Sequence, residues 1–327
     1  MAKNALAGPM DDDPSGEANP DTAVAPASKV TITEPGVYQL TNEQYHADPV
    51  PGWSLSSSGA RLLMSDPPAV FHHQRTNPKD PTKAMVFGGG AHEWLLEPDR
   101  FHDRHLVLPE DHDGRTNIGK ARVREAKEAG LRVLTHEEWT TLQAMREAML
   151  RHRYAFAAFQ GGRPELSLFW RCPSWGVMCR AKPDYTPGTG RIYGEYKTTL
   201  SLDLAELSLT IHNYGYHYQM GWYDEAFRVL GICEKPTMLF VFQSKTPPHL
   251  VRCVTLGIPS RIVAEEHNDK AKRIFGVCQK TGEWPEYVED IQSIDIPSWA
   301  LGRAEKAGSA GAFEVTDAER ELLTWQP

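Results

Sequence analysis

The chain has 327 residues and a formal net charge of −8, with 40% apolar and 24% charged residues. These values are ordinary for a soluble globular protein of one large domain or two small ones. The sequence has no apolar run long enough for a transmembrane helix and no secretory signal at its N-terminus, so we expect a cytoplasmic protein without a membrane partner. Its acidity excludes a uniformly basic protein that coats DNA.

The five cysteines form no C-x-x-C pair, and their number is odd: Cys172, Cys179, Cys233, Cys253 and Cys278. Neither a disulfide framework, a zinc ribbon nor an iron–sulfur cluster is therefore expected. Free cysteines of this kind usually behave as small buried hydrophobic residues.

Composition divides the chain into three parts. Residues 1–30 are rich in Asp, Pro, Ala, Gly and Ser, which predicts a disordered tail with a net charge of −3. Residues 31–300 are predicted to form a single domain, and residues 301–327 a C-terminal extension.

The first predicted elements are helical. Ser56, Ser57 and Ser58 lead into an apolar helical pattern that Pro67-Pro68 stops. A second helix is predicted over 83–96, although it contains Gly88-Gly89-Gly90. Those glycines lack the following Lys-Ser/Thr of a phosphate-binding loop, so no nucleotide cofactor is expected. After a polar, charge-rich stretch, residues 136–159 predict one long amphipathic helix.

The hydrophobic period then changes from helical to alternating. The predicted strands are 166–170, 177–185, 191–197, 237–244 and 249–256, and the predicted helices are 203–212, 215–230 and 259–280. Helices before the strands and between them indicate an α/β fold.

The middle strands carry two carboxylates and a lysine. Glu195 and Lys197 share one face of their strand because side chains alternate. A hairpin turn over 187–190 would place Tyr193 opposite Asp184 and make Glu195 the diagonal neighbour of Asp184. Two converging carboxylates repel unless a cation lies between them, and oxygen ligands suit Mg²⁺ or Mn²⁺.

Pro183-Asp184…Glu195-Tyr196-Lys197 resembles the signature of the PD-(D/E)xK nucleases. Gly90-Ala91-His92-Glu93 resembles the upstream histidine motif of the RecB-like branch, and Gln219-Met220-Gly221-Trp222-Tyr223 fits its Q-x-x-x-Y helix motif. The order of these motifs along residues 35–290 also agrees. The resemblance is greatest to RecE-like exonucleases of the exodeoxyribonuclease VIII type, found in phages and prophages.

That resemblance implies a restriction-endonuclease-like core with a central mixed sheet flanked by helices. It implies that His92, Asp184, Glu195 and the backbone carbonyl of Tyr196 bind Mg²⁺, for which Mn²⁺ could substitute. The catalytic set would be Asp184, Glu195 and Lys197, with Lys197 positioning the attacking water.

The resemblance further implies that Gln219 and Tyr223 hold DNA or support the site. It also implies a supporting role for Glu165, which matches a position where related exonucleases carry an acidic residue near the metals. Arg180 and Lys182 share strand parity with Asp184, so they can line the same face. From Arg151 to Lys197 there are eight basic and three acidic residues, which indicates a confined basic cleft within the acidic chain.

The expected activity is 5′→3′ exonucleolytic hydrolysis of double-stranded DNA ends in recombination or repair. The resemblance also suggests a ring-like homo-oligomer and a single-strand annealing protein as a partner. Two alternatives stay open: a structure- or site-specific endonuclease of the same fold, and a non-catalytic protein that binds DNA ends.

Overall fold

A computed structural model describes residues 30–77, 83–188, 190–287, 291, 293–309 and 317. The chain divides between Glu286 and Tyr287 into two compact units. The predicted tail lies outside the described residues except for residue 30, and the predicted division at 300 stays a prediction.

The first unit contains eleven α-helices, one short 3-10 helix (Pro98–Arg100) and eleven strands among its described residues. In chain order these are β1 (Gly36–Tyr38), α1 (Asn42–His46), β2 (Leu55–Ser56), α2 (Ser57–Ser65), α3 (Pro68–Thr76), α4 (Lys83–Leu96), α5 (Phe101–Arg104), β3 (His105–Val107), α6 (Asn117–Glu128), β4 (Arg132–Leu134), α7 (His136–Arg151), α8 (Arg153–Ala158), β5 (Arg163–Pro164), β6 (Ser167–Arg171), β7 (Met178–Ala181), β8 (Tyr185–Thr186), β9 (Ile192–Thr199), α9 (Leu204–Asn213), α10 (Tyr216–Val229), β10 (Thr237–Ser244), β11 (Val251–Val254) and α11 (Ile258–Thr281). The second unit contains helix α12 (Ser298–Ser309).

Two mixed sheets carry the fold. One has the order β1-β6-β7-β2, in which only the β2–β7 pair is parallel. The other has the order β11-β10-β9, and β9 runs parallel to β10 over eight residue pairs. A parallel strand is usually covered on both faces, which explains the uninterrupted apolar run Met238–Phe242 in β10.

Helices cover both faces of β9. Tyr193 packs into a core with α10 residues such as Phe227, whereas Tyr196 packs into a second core with α7 residues such as Met145. Because alternate residues of β9 point to opposite faces, Glu195 and Lys197 lie on the Tyr193 side. The expected α/β architecture is thus present, with two mixed sheets in place of one.

Several predicted elements are confirmed with their caps. The Ser56 hydroxyl accepts a hydrogen bond from the Gly59 N–H (3.2 Å) at the start of α2. Pro67 and Pro68 end that helix as predicted, but Pro68 also begins α3, since proline is well tolerated in the first helical turn.

Two expectations are wrong. The single helix over 136–159 is two helices, because His152 is extended (φ −87°, ψ 108°) and its Nδ1 caps α8 by accepting from the Ala155 N–H (3.2 Å). The hairpin over 187–190 is not formed by the strands that the structure describes. There β8 pairs with β5, and β9 pairs with β10.

All five cysteines are free, and three of them, Cys172, Cys179 and Cys278, are buried as expected. Among the described residues, no helix combines the length and the apolar character that crossing a bilayer requires.

Candidate metal centre

His92 is the centre of a cluster of potential metal ligands. Helix α4 places its ring between two carboxylates: Nδ1 lies 3.1 Å from Glu165 Oε1, and Nε2 lies 2.8 Å from Asp184 Oδ1. Ligand atoms of these three residues all lie within 4.8 Å of one another. One imidazole and two carboxylates are a donor set that divalent cations accept in proteins.

The contact between His92 and Asp184 is close but does not meet hydrogen-bond geometry. Nε2 of His92 is buried and has no hydrogen-bond partner. This nitrogen converges with the Glu165 and Asp184 carboxylates as a set of buried or half-buried ligand atoms, and nitrogen and carboxylate oxygen together fit a bound divalent cation.

The charges of the cluster shift its pKa values in opposite directions. Burial alone would lower the pKa of His92, but the carboxylates of Asp184 and Glu165 outweigh burial and raise it to about 9. Burial alone would raise the pKa of Asp184, but His92 and Lys197 outweigh it and hold that pKa below its ordinary value. Without an ion, the imidazolium supplies the positive charge that the carboxylates require.

The buried Glu195 forms a pair with the half-buried Lys197 on β9, next to this cluster. Lys197 Nζ lies 2.7 Å from Glu195 Oε1, and the ammonium also lies 5.1 Å from the centre of the Tyr216 ring. Burial and the Asp184 carboxylate raise the pKa of Glu195 to about 7. Burial opposes the charge of Lys197, but Glu195 and Asp184 outweigh it and raise the pKa of the lysine. The lysine is therefore a cation at neutral pH.

Backbone hydrogen bonds join the two groups. The Tyr196 N–H donates to Asp184 Oδ2 (2.6 Å), and the Asp184 N–H donates to Glu195 Oε2 (3.4 Å). Asp184 and Glu195 converge as predicted, but through these bonds and not through a hairpin register. The Tyr196 side chain points elsewhere and donates to Gln243 Oε1 (2.6 Å), and ligation by its carbonyl stays a prediction.

Glu165, which the resemblance places near the metals, is held there by an unusual backbone conformation. Its φ is +55°, a backbone conformation that is rare for residues other than glycine, and its N–H donates to the Asp184 carbonyl (3.3 Å). The carboxylate bridges His92 and Lys182, whose Nζ lies 2.7 Å from Oε2. Asn42 of α1 accepts a second bond from the same ammonium. This geometry places Glu165 inside the cluster of potential ligands.

A cavity of about 350 Å³ opens beside these groups, and several predicted residues line it. Those residues are Glu165, Arg180, Lys182, Lys197, Gln219 and Tyr223. On α10, Gln219 Nε2 donates to the Tyr223 hydroxyl (2.8 Å), which in turn donates to the Lys182 carbonyl (3.3 Å). The other wall includes Ser56, Ser57, Ser58 and Arg61 of the β2–α2 segment.

Arg180 lines this cavity, but its side chain is buried. Its Nη1 lies 2.7 Å from Asp48 Oδ2, and its guanidinium lies 5.2 Å from the centre of the Tyr45 ring. Arg75 pairs with the same Asp48 carboxylate. Asp48 therefore pairs with two arginines. The charge of Arg180 is partly neutralised by this pair, although strand parity places the residue on the face of Asp184.

Sequence reasoning missed Asn42, Asp48 and Arg61. Their partners lie 140, 132 and 153 residues away along the chain, at Lys182, Arg180 and Tyr214. The only local signal is the run of three serines before α2, which the N-cap explains.

The sequence and the fold each match known proteins. The family described as "PDDEXK-like domain of unknown function (DUF3799)" matches residues 56–297. The chain belongs to this family. Comparison with curated proteins found no match to the sequence.

A similar fold occurs in a crystal structure of a protein of Eubacterium rectale named "Putative exonuclease". The TM-score is 0.51 at 13% sequence identity, and the match covers 81% of this chain and 98% of the other. The predicted α/β core of the PD-(D/E)xK type is confirmed by the family and the fold.

Proposed function

We propose that this chain is a Mg²⁺-dependent exonuclease that hydrolyses phosphodiester bonds at the ends of double-stranded DNA. The observation that carries the proposal is the cluster of His92, Glu165 and Asp184 beside the Glu195–Lys197 pair. Membership of a PDDEXK-like family supports a nuclease at the level of the superfamily. The name of the Eubacterium rectale protein agrees with exonuclease activity.

His92, Glu165 and Asp184 would hold the metal ion. The carboxylate of Glu195, a predicted ligand, is not one of the three that converge; it accepts a hydrogen bond from the Asp184 backbone N–H (3.4 Å), and ligation by Glu195 stays a prediction. The ion would offset charge on the phosphate oxygens and lower the pKa of a water molecule toward neutrality. This assignment moves Glu165 from a supporting role to a ligand. Mn²⁺, which accepts the same oxygen and nitrogen donors, would substitute for Mg²⁺.

Lys197 would position the attacking water and stabilise negative charge on the phosphate. A general base must lose its proton near the working pH, but the neighbouring carboxylates raise the pKa of Lys197. Its ammonium therefore serves as a fixed donor in the cavity. Gln219 and Tyr223, which line the same cavity, would contact DNA or support the site.

Polarity and partners follow from the resemblance to RecE-like proteins. It supports 5′→3′ degradation, phage-type recombination or repair in a bacterial cytoplasm, a ring-like homo-oligomer and a single-strand annealing partner. The competing functions are a structure- or site-specific endonuclease and a non-catalytic protein that binds DNA ends.

The test compares variants in the cluster with matched variants outside it. Asp184→Asn and Lys197→Gln should each abolish Mg²⁺-dependent release of nucleotides from a linear duplex while circular dichroism stays unchanged. Asp113→Asn and Lys235→Gln change the same residue types at exposed positions and should retain full activity. Full activity in both cluster variants would rule out the proposed catalytic site.

A further inference from the structure

Helix α6 (Asn117–Glu128) and its flanks carry a local excess of positive charge. Residues 115–132 contain six basic and two acidic residues, a net charge of +4 in a chain of net charge −8. Carboxylates outside this window pair with two of the basic residues: Asp113 with Arg115, and Glu93 with Arg132. The basic residues are Arg115, Lys120, Arg122, Arg124, Lys127 and Arg132. All of these except Arg132 are exposed. The catalytic cavity includes none of them.

Three of these cations form a stripe along one side of α6. Lys120, Arg124 and Lys127 are spaced at i, i+4 and i+7, which places them on one helical face over about 10.5 Å. They line a surface depression together with Gly114, Gly119, Val123 and Glu128. A length of about 10.5 Å corresponds to roughly three base-pair steps of duplex DNA at 3.4 Å each.

The stripe is scarcely neutralised by the protein. Within the described parts of the chain, no carboxylate pairs with Lys120 or Lys127. Arg124 has Glu128 at 3.7 Å, with both side chains 67% exposed. Exposed pairs of this kind contribute little and are easily exchanged for another anion. The positive charge therefore remains available to a partner.

Packing of the core does not explain this helix. Its buried residues are Gly119 and Ala126, whereas Ile118 is 84% exposed. The inward face of this helix consists of the small or half-buried residues Gly119, Val123 and Ala126, so it buries little apolar surface. Its surface is the feature that requires an explanation.

The helix is connected directly to the elements that hold the candidate metal centre. After α6 the chain turns at Gly130 (φ +77°) into β4, where Arg132 Nη1 lies 2.6 Å from Glu93 Oε1. Glu93 follows His92 on α4. The segment that carries the basic stripe is thus anchored, through Arg132, to the residue that follows His92.

We propose that Lys120, Arg124 and Lys127 bind the phosphate backbone of duplex DNA outside the catalytic cavity. This inference rests on the proposed function for the identity of the polyanion. The stripe contacts phosphates without reading bases, because lysine and arginine at exposed positions neutralise charge irrespective of sequence. It holds the duplex while the end is in the cavity, which favours repeated hydrolysis on one molecule.

The test is the salt dependence of DNA binding by the full chain. The variant Lys120→Gln/Arg124→Gln/Lys127→Gln removes the stripe and keeps residues with good helix propensity. Lys270→Gln/Arg273→Gln/Lys280→Gln removes the same charge from exposed positions of α11 and serves as the matched control. Binding of a fluorescent 30-base-pair duplex is measured by anisotropy in EDTA, between 50 and 200 mM NaCl.

Each lost phosphate contact reduces the slope of log K against log salt by about 0.9, so the stripe variant should lose about 2 to 3 from the wild-type slope. The slope of the control variant should fall by less than about 0.9, the value of one phosphate contact. An unchanged slope in the stripe variant, or equal losses in both variants, would overturn the inference. Loss of binding to an acidic protein but not to DNA would also overturn it, in favour of a protein partner.

Hydrolysis of the same duplex in Mg²⁺ separates this inference from the proposed function. If wild type degrades DNA and the stripe variant binds normally, the inference fails and the nuclease stands. If wild type binds DNA through the stripe but never degrades it, the nuclease fails and the inference stands.

Discussion

Metal binding should depend steeply on pH because His92 is protonated in the metal-free protein. The carboxylates of Asp184 and Glu165 raise its pKa to about 9. A metal ion needs the neutral imidazole, so below pH 9 the ion must displace a proton. Raising the pH therefore strengthens binding, until the imidazole is already neutral.

The size of the effect follows from that pKa. At pH 7, about two pH units below the pKa of His92, removal of its proton makes the free energy of metal binding less favourable by about 2.7 kcal/mol. Between pH 6 and pH 8 the association constant should rise about tenfold per unit, or about 100-fold in total. Deprotonation of Glu195, whose pKa is raised to about 7, would add to the rise in the lower half of this range.

Isothermal titration calorimetry with Mn²⁺ measures both consequences. Titrations at pH 6, 7 and 8 give the association constants, and titrations at pH 7 in buffers of different ionisation enthalpy give the number of protons released. We expect at least one proton per ion. His92→Gln should bind more weakly at pH 8 and should lose most of the pH dependence between pH 7 and pH 8. Tight binding without proton release in the wild-type protein would refute the reasoning.

Three further predictions concern the supports of the site. Asp48→Ala leaves Arg75 and Arg180 without their carboxylate and should lower the free energy of unfolding in urea by about 3–5 kcal/mol. The exposed Asp111→Ala serves as the control and should leave the urea midpoint unchanged. Gly194→Ala would place its Cβ 2.5 Å from the Phe159 ring and should lower the free energy of unfolding by about 1–3 kcal/mol in the same assay. The Cβ of Gly88→Ala meets nothing within 4 Å, so that variant should raise the free energy of unfolding by up to about 1 kcal/mol. The reverse order of stabilities would contradict the packing around β9. Asn42→Ala frees Lys182 beside Glu165 and should weaken Mn²⁺ binding about tenfold in calorimetry, and an unchanged affinity would show that Asn42 does not support the site.

The sequence predicted those parts of the protein that local patterns determine. Hydrophobic periodicity predicted α10, β10 and α11 to within a few residues, because each buries an apolar face over many turns or pairs. The motif order predicted that His92, Asp184 and Glu195 come together, and the structure places them in neighbouring contacts.

Other parts depend on information that is not local. The inward face of helix α6 has only small or half-buried residues, so the sequence predicts no more than a polar, charge-rich stretch there. The pairing of β9 with β10 is parallel and crosses two helices, so a short turn at 187–190 was a misleading signal. The resemblance points to Glu165 as an acidic residue near the metals, but hydrophobic periodicity does not predict the positive φ with which it is placed there.

One degradation assay tests the central claim most directly. The purified chain is incubated with a linear duplex labelled at its 5′ or 3′ end, and with a covalently closed circle, in Mg²⁺ or in EDTA. A metal-dependent exonuclease of 5′→3′ polarity should release the 5′ label first from the linear duplex in Mg²⁺, leave the circle intact and show no activity in EDTA. A cleaved circle would identify an endonuclease, and an intact linear duplex in both Mg²⁺ and Mn²⁺ would contradict the account.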